Sequence, residues 1–177
     1  MTLGVLTSCG DDTVSNVTLS GQWVGVMSIS YDAQKEDGNF VTCIAEQSHV
    51  YFNKSSNKFA TAGSGMQIDD YPYGPYSQKY RTFTWTLDKS TAPATATIIY
   101  SDGTTYTLVD PGISNDGSQF GGYLDYGTGG RDIVYLDYDN AFNWSTAATE
   151  DVERPNWEDA YEEYMKEIMT PSSDTSM

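Results

Sequence analysis

The sequence predicts an all-β fold of about eight antiparallel strands, a sandwich or a barrel, followed by a C-terminal amphipathic helix. Three observations carry this expectation. Large apolar residues alternate with Thr, Ser and Asp over short runs, which is the period of half-buried strands. Clusters of Gly, Asn, Asp and Ser separate these runs at the spacing typical of antiparallel sandwiches and barrels. Only after Asn156 does the apolar period change to that of a helix.

In chain order, residues 1–18 read as a truncated signal and polar tether, and the β-domain spans 19–146. From Gln22 to Tyr31 the odd positions carry Trp23, Gly25, Met27, Ile29 and Tyr31, read as one strand. Asp32 to Asn39 is a charged hairpin loop. Phe40 to Phe52 is a long strand-like run with an interruption around Glu46 to Ser48, and Asn53 to Asn57 has turn composition. Lys58 to Ile68 is a weaker strand in which Gly63 and Gly65 suggest a bulge or a bend. Asp69 to Ser77 is the most irregular loop and contains Tyr71-Pro72-Tyr73-Gly74-Pro75-Tyr76.

Thr82 to Val109 is the clearest stretch. Thr82-Phe83-Thr84-Trp85-Thr86-Leu87, Thr95 to Tyr100 and Thr104 to Val109 form a meander with one wet and one buried face. A two-residue Asp-Gly turn would set Ile99 opposite Tyr106 and mix polar with apolar on each face. A three-residue loop, Ser101-Asp102-Gly103, sets Ile98 opposite Tyr106, Ala96 opposite Leu108 and Thr97 opposite Thr107. It also puts Gly103 at the left-handed position that closes a type I turn with a G1 bulge. A one-residue slip exchanges the faces, so pattern and turn chemistry select the second register.

Gly112 to Gly117 then reads as a turn, Gln119 to Asp125 as a strand, and Gly127 to Gly130 as a turn. Asp132 to Tyr138 alternates with bulk on both faces and is expected to be covered from both sides. Residues 147–177 form a linker, a helix and a disordered end. Asn156 suits the N-cap, and Glu158 and Asp159 suit the first turn. Trp157, Tyr161, Tyr164, Met165, Ile168 and Met169 form one stripe. A helix this short is marginal alone, so the stripe covers the outside of the β-body or a partner protein.

Composition restricts the function. The 177 residues suit one domain, with 38% hydrophobic and 14% aromatic residues, led by 14 Tyr. The formal charge of -16 repels phosphate backbones, which argues against nucleic acid, and disfavours electrostatic adsorption to anionic lipid. Membrane attachment would therefore be covalent or apolar. Leu6-Thr7-Ser8-Cys9 resembles a bacterial lipobox, in which the Cys becomes the acylated first residue of the mature protein. Too few apolar residues and no basic segment precede Cys9, so an upstream start is expected. The following Gly10-Asp11-Asp12 resembles the surface-export signal of Bacteroidetes lipoproteins, which implies a cell-surface lipoprotein on the outer membrane of a Gram-negative bacterium. Acylation of Cys9 would leave Cys43 without an intramolecular mate, so no disulfide is expected.

Gly21-Gln22-Trp23 resembles the G-x-W signature of lipocalins, where the Trp plugs the closed end of an eight-stranded up-and-down barrel, often against a late Arg. Together with Leu19 to Trp23, Phe83 to Leu87, Ile98 to Gly103 and Ile113 to Gly121, it resembles the lipocalin-like lipoproteins of Bacteroidetes. The resemblance covers most of Leu19 to Trp144. It implies a lipocalin-like barrel, Trp23 closing one end, and Arg131 as the candidate partner of that Trp.

Chemistry is sparse. His49 is the sole histidine, no nucleophile elbow is present, and Cys43 and His49 would stand about 20 Å apart in one strand. No metal set, cofactor motif or catalytic residue is indicated, and the abundant carboxylates suit solubility better than a glycosidase pair. Asp137 to Asn140 lacks the remainder of a calcium loop. Tyr71, Tyr73 and Tyr76 are the candidate ligand-binding residues, because proline-stiffened tyrosines present flat apolar faces with a hydroxyl. The expectation is a lipid-anchored, non-catalytic envelope protein that binds a small apolar ligand or glycan at the barrel mouth. The alternative is an assembly subunit with a packed barrel that meets a partner protein through its tail helix or acidic surface.

Overall fold

A computed structural model describes residues 19–53, 60–125, 127 and 129–170. Its centre is a closed eight-stranded antiparallel barrel. The staves are β1 (Gly21–Val26), β4 (Gln47–Phe52), β5 (Ala62–Asp70), β6 (Tyr76–Asp88), β7 (Thr95–Tyr100), β8 (Thr105–Ile113), β9 (Gln119–Asp125) and β10 (Arg131–Tyr138). They pair in sequence order, and β10 returns to β1, which closes the up-and-down barrel without a free edge. The architecture is all-β with one C-terminal helix and is consistent with a lipocalin-like fold.

The β7–β8 register is the one selected by the turn: Ile98 lies opposite Tyr106, Ala96 opposite Leu108 and Thr97 opposite Thr107. Gly103 is left-handed at φ 87° and donates its N–H to the Tyr100 carbonyl. Trp85, Ile98, Ala96 and Leu108 point inward and are buried, while the threonines face out.

Several expectations need correction. The run Gln22 to Tyr31 is two strands, because the chain leaves the barrel after Val26 and passes through Ser28, which is left-handed at φ 54°. It continues as the hairpin β2 (Ser30–Gln34) and β3 (Phe40–Ile44), a separate two-stranded sheet. The interruption before β4 falls at Ala45 and Glu46, and Gln47 and Ser48 already belong to β4. Asp69 and Asp70 close β5 instead of opening a loop, and Gly112 and Ile113 belong to β8. β6 begins at Tyr76 and runs for 13 residues, since its N-terminal half pairs with β5 and with a short β11 (Val152–Glu153) in the tail.

Gly63 and Gly65 form no bulge; β5 keeps regular register with β6 past both. They are glycine because the Trp85 and Phe83 rings lie across them. The outer face of β10 is open rather than covered: Ile133 is 70% exposed and Tyr135 52%. Cys9, the 10–18 tether and the segment after Thr170 lie outside the described residues, as does most of the turn at 53–57.

The tail makes two passes over the barrel. Residues 139–151 cross the outside of β4, β5 and β6. Phe142 stacks on His49 with centroids 4.0 Å apart, Trp144 lies 5.8 Å from Tyr51, and Asp151 accepts a hydrogen bond from the Tyr80 N–H. The outward Ile68 of β5 is thereby 1% exposed. The helix α1 (Trp157–Met169) follows, with Trp157 and Tyr161 against the core and Tyr73 between Tyr161 and Tyr164. Asn156 stands at its N-cap, but in a left-handed conformation without a side-chain cap bond.

Candidate functional site

The barrel interior is built from inward residues of all eight staves. Around the end where β1 starts, Trp23 meets Phe120 and Tyr138, each with centroids 5.7 Å away, and its indole N–H donates to the Ser20 carbonyl at 3.1 Å. Arg131 is not its partner: it lies at the far end of β10 and pairs with Asp125 at 3.0 Å. Phe52 contacts Phe83, Trp85 and Phe120 at 5.3, 6.4 and 5.7 Å. Leu108, Leu124 and Leu136 fill the remaining walls with no exposure. Such edge-to-face and tilted ring contacts are those of a packed core.

Toward the other end the interior becomes polar. Asp69, fully buried, accepts hydrogen bonds from Ser48 Oγ and Gln67 Nε2 on Oδ1 and from Arg81 Nη2 on Oδ2, each at 2.6 Å. Tyr100 donates to Gln67 Oε1 at 2.6 Å, and the Arg81 guanidinium lies 4.3 Å from the Tyr100 ring centroid. Burial lowers the Arg81 pKa, but the Asp69 charge outweighs it and the guanidinium stays firmly protonated. Burial likewise pushes the Tyr100 hydroxyl well above its ordinary value. With three donors on its two oxygens, Asp69 is occupied as an acceptor, which suits a structural ion pair and not a general base.

This end is covered by the β2–β3 hairpin, whose Ala33, Val41 and Cys43 join the same core cluster together with the flanking Met27, Ile29 and Ala45. The sequence-predicted tyrosines are divided at this cover. Tyr71 is 3% exposed, with its ring 4.9 Å from that of Tyr31; Tyr76 lies 6.1 Å from Tyr31, and Lys79 stands over both Tyr31 and Tyr76. Tyr73 turns to the helix, and its hydroxyl donates to the Thr42 carbonyl at 3.1 Å. Arg154 fixes the loop by donating to the carbonyls of Gly74 at 3.0 Å and Tyr71 at 2.5 Å. Tyr71 and Tyr76 therefore meet at Tyr31 of the hairpin, while Tyr73 joins the helix.

His49 and Cys43 stand on different strands. Nδ1 of His49 lies 3.2 Å from Asp139 Oδ2, and Nε2 lies 3.6 Å from Asp70 Oδ2, so both ring nitrogens face carboxylates. Cys43 is a buried free thiol whose pKa burial pushes up, the environment of an inert cysteine. Among the described residues no group of three His, Cys, Asp or Glu side chains could hold a metal ion. No helix among the described residues is long and apolar enough to cross a membrane.

Sequence reasoning missed Gln67, Asp69, Arg81 and Arg154. A usable signal existed for the first three: Gln67 and Asp69 share inward parity with Gly63 and Gly65, and Arg81 shares it with Phe83 and Trp85. Arg154 carried none, because its partners are backbone carbonyls of a distant loop. No protein-family model, no curated protein and no solved structure matches the chain.

Proposed function

We propose that this protein is a non-catalytic binding module of the cell envelope that works through its outer surface, as an assembly or interaction subunit, and not by carrying a small ligand inside the barrel. The packed interior supports this reading. The space that a carrier barrel leaves for cargo is taken by Trp23, Phe52, Phe83, Trp85, Tyr100 and Phe120, all buried and in mutual ring contact. The covered end adds to it, because a ligand would have to displace the β2–β3 hairpin, Tyr71 and the Asp69–Arg81 pair. A carrier barrel holds ligand only where its side chains leave room.

The test is uptake of a fluorescent fatty acid. The native protein is expected to leave probe emission unchanged at micromolar concentrations, whereas saturable one-to-one uptake would restore the carrier reading. The lipid anchor on Cys9 belongs to the same proposal and rests on Leu6-Thr7-Ser8-Cys9. Metabolic labelling with an alkyne fatty acid in the source cell should mark the wild type and not Cys9→Ala; an unlabelled wild type rejects the anchor.

A further inference from the structure

The tail crosses β4 and only the Asp70 end of β5 and the Tyr76 end of β6, and it leaves a second group of apolar side chains exposed on the outside of the barrel: Ile133 and Tyr135 of β10, Tyr123 of β9 and Val26 of β1. Along β10 the outward positions are Arg131, Ile133, Tyr135 and Asp137, all exposed. This order reads cation, apolar, aromatic, anion, and it is complementary to itself when reversed. Beside it, β9 presents Asp125, Tyr123, Gly121 and Gln119 on the same face, and β1 presents Val26 opposite Tyr135.

Gly121 and Gly112 pair across β9 and β8 at outward positions. Gly112 closes the irregularity in β8 that begins after Val109, whereas β9 keeps regular register with β10 through Gly121, which has no such reason. A Cβ at Gly112 would meet nothing within 4 Å, one at Gly121 only the Val134 carbonyl at 3.5 Å, and neither residue is left-handed. Glycine in a strand without an internal reason marks a place where something else approaches the backbone closely. Next to the exposed Tyr123 and Tyr135 rings, the pair forms a flat hollow bordered by knobs.

We infer that this face is the interface between two copies of the chain, related by a two-fold axis that crosses β10 at Val134. An axis in the interface plane and perpendicular to the strands lays β10 antiparallel over its counterpart. Arg131, whose Nε is held by Asp125 of its own chain, then turns its Nη groups to Asp137 of the second copy, Ile133 faces Tyr135, and on β9 the Tyr123 ring faces the Gly121 hollow. Every contact occurs twice, as an isologous interface requires. Packed sheets cross at about 30°, which displaces the two ends of β10, about 10 Å from the axis, by only about 5 Å. An Arg side chain spans that offset.

The charge of -16 per chain opposes association over the rest of the surface. The two Arg–Asp contacts and the apolar centre are what make this face an exception. Three strands about 20 Å long offer roughly 300 Å² of sheet, well under the about 800 Å² per partner of a stable dimer. The expected dimer is therefore weak in solution and strengthened where copies are concentrated, as on a membrane. This deepens, and rests on, the reading of the barrel as an outer-surface module.

Sedimentation velocity on the wild-type chain at about 0.15 M salt, from micromolar to about millimolar concentration, should show a concentration-dependent dimer. R131D and D137R should each raise the dissociation constant at least tenfold, since each sets like charges against each other twice. A one-to-one mixture of the two variants should recover the dimer, because both contacts are then again between opposite charges. Gly121→Val, which fills the hollow with its fold intact by circular dichroism, should also weaken association at least tenfold. A wild type that stays monomeric throughout overturns the inference, as does a dimer indifferent to the charge reversals or a mixture that fails to recover. A monomer that still excludes the fatty-acid probe removes only this interface; uptake of the probe removes the outer-surface reading itself.

Discussion

Gly63 faces the barrel interior opposite Trp85, and a methyl group added there would lie 2.7 Å from Cζ2 and 2.8 Å from Cε2 and Nε1 of the indole. These separations fall about 1 Å short of van der Waals contact. The indole is 1% exposed and has no open side to move into. Overpacking of this kind costs about 1–3 kcal/mol. The Gly63 backbone is not left-handed, so alanine would otherwise gain about 0.5–1 kcal/mol by restricting the unfolded chain. Gly63→Ala should thus lose about 1–2 kcal/mol net. In a Trp85→Leu background, itself costing about 2–4 kcal/mol, the clash is absent and the same substitution should become stabilising. The double-mutant cycle should show a coupling of about 2 kcal/mol. Urea unfolding followed by far-ultraviolet circular dichroism measures all four proteins. With a slope of about 2 kcal/mol/M, Gly63→Ala alone lowers the midpoint by roughly 0.5–1 M. Additive effects in the cycle would refute the claim that this glycine exists to seat the indole, and with it the account of how the barrel comes to be filled.

The buried ion pair makes a second prediction: Asp69→Leu or Arg81→Met alone should cost about 3–5 kcal/mol in urea unfolding, while the double variant should be clearly more stable than either, because no unpaired charge is left inside. A third concerns acid. Burial raises the Asp139 pKa, but the N–H groups of Ala141 and Phe142 and the His49 ring hold it below 3.8 on balance. Its stabilisation is therefore present above that value and lost as pH falls through the folded value, so wild type should lose more melting temperature from about pH 5 to about pH 2 than Asp139→Asn. A fourth uses Cys43, which has no exposure: in a Cys9→Ala protein, where it is the one thiol left, an exposed-thiol reagent should modify the native state far more slowly than the urea-unfolded state, and rapid native labelling would mean the hairpin cover opens freely. Gly121→Ala, finally, should keep or raise the unfolding midpoint, in contrast to Gly63→Ala, because its new methyl meets only ordinary contact.

What the sequence determined by itself is the part governed by neighbours along the chain. Threonine–apolar alternation named the strands, Gly103 set the loop length and hence the β7–β8 register, and the change of period located the helix near Trp157. These are period and turn effects, and each is decided within a few residues. Tertiary structure decided everything that depends on two distant segments sharing a volume. Whether the barrel is hollow or full rests on Gly63 and Gly65 lying under Trp85 and Phe83, on another strand. Whether Asp69 is a loop residue or the buried mate of Arg81 depends on how far β5 extends. Tyr71, Tyr73 and Tyr76 are close in sequence, yet Tyr71 and Tyr76 both meet Tyr31 of the hairpin while Tyr73 lies between Tyr161 and Tyr164 of the helix. Alternation tells which side chains share a face; whether that face meets another wall, a covering segment or water is a question of packed volume, which no local pattern encodes.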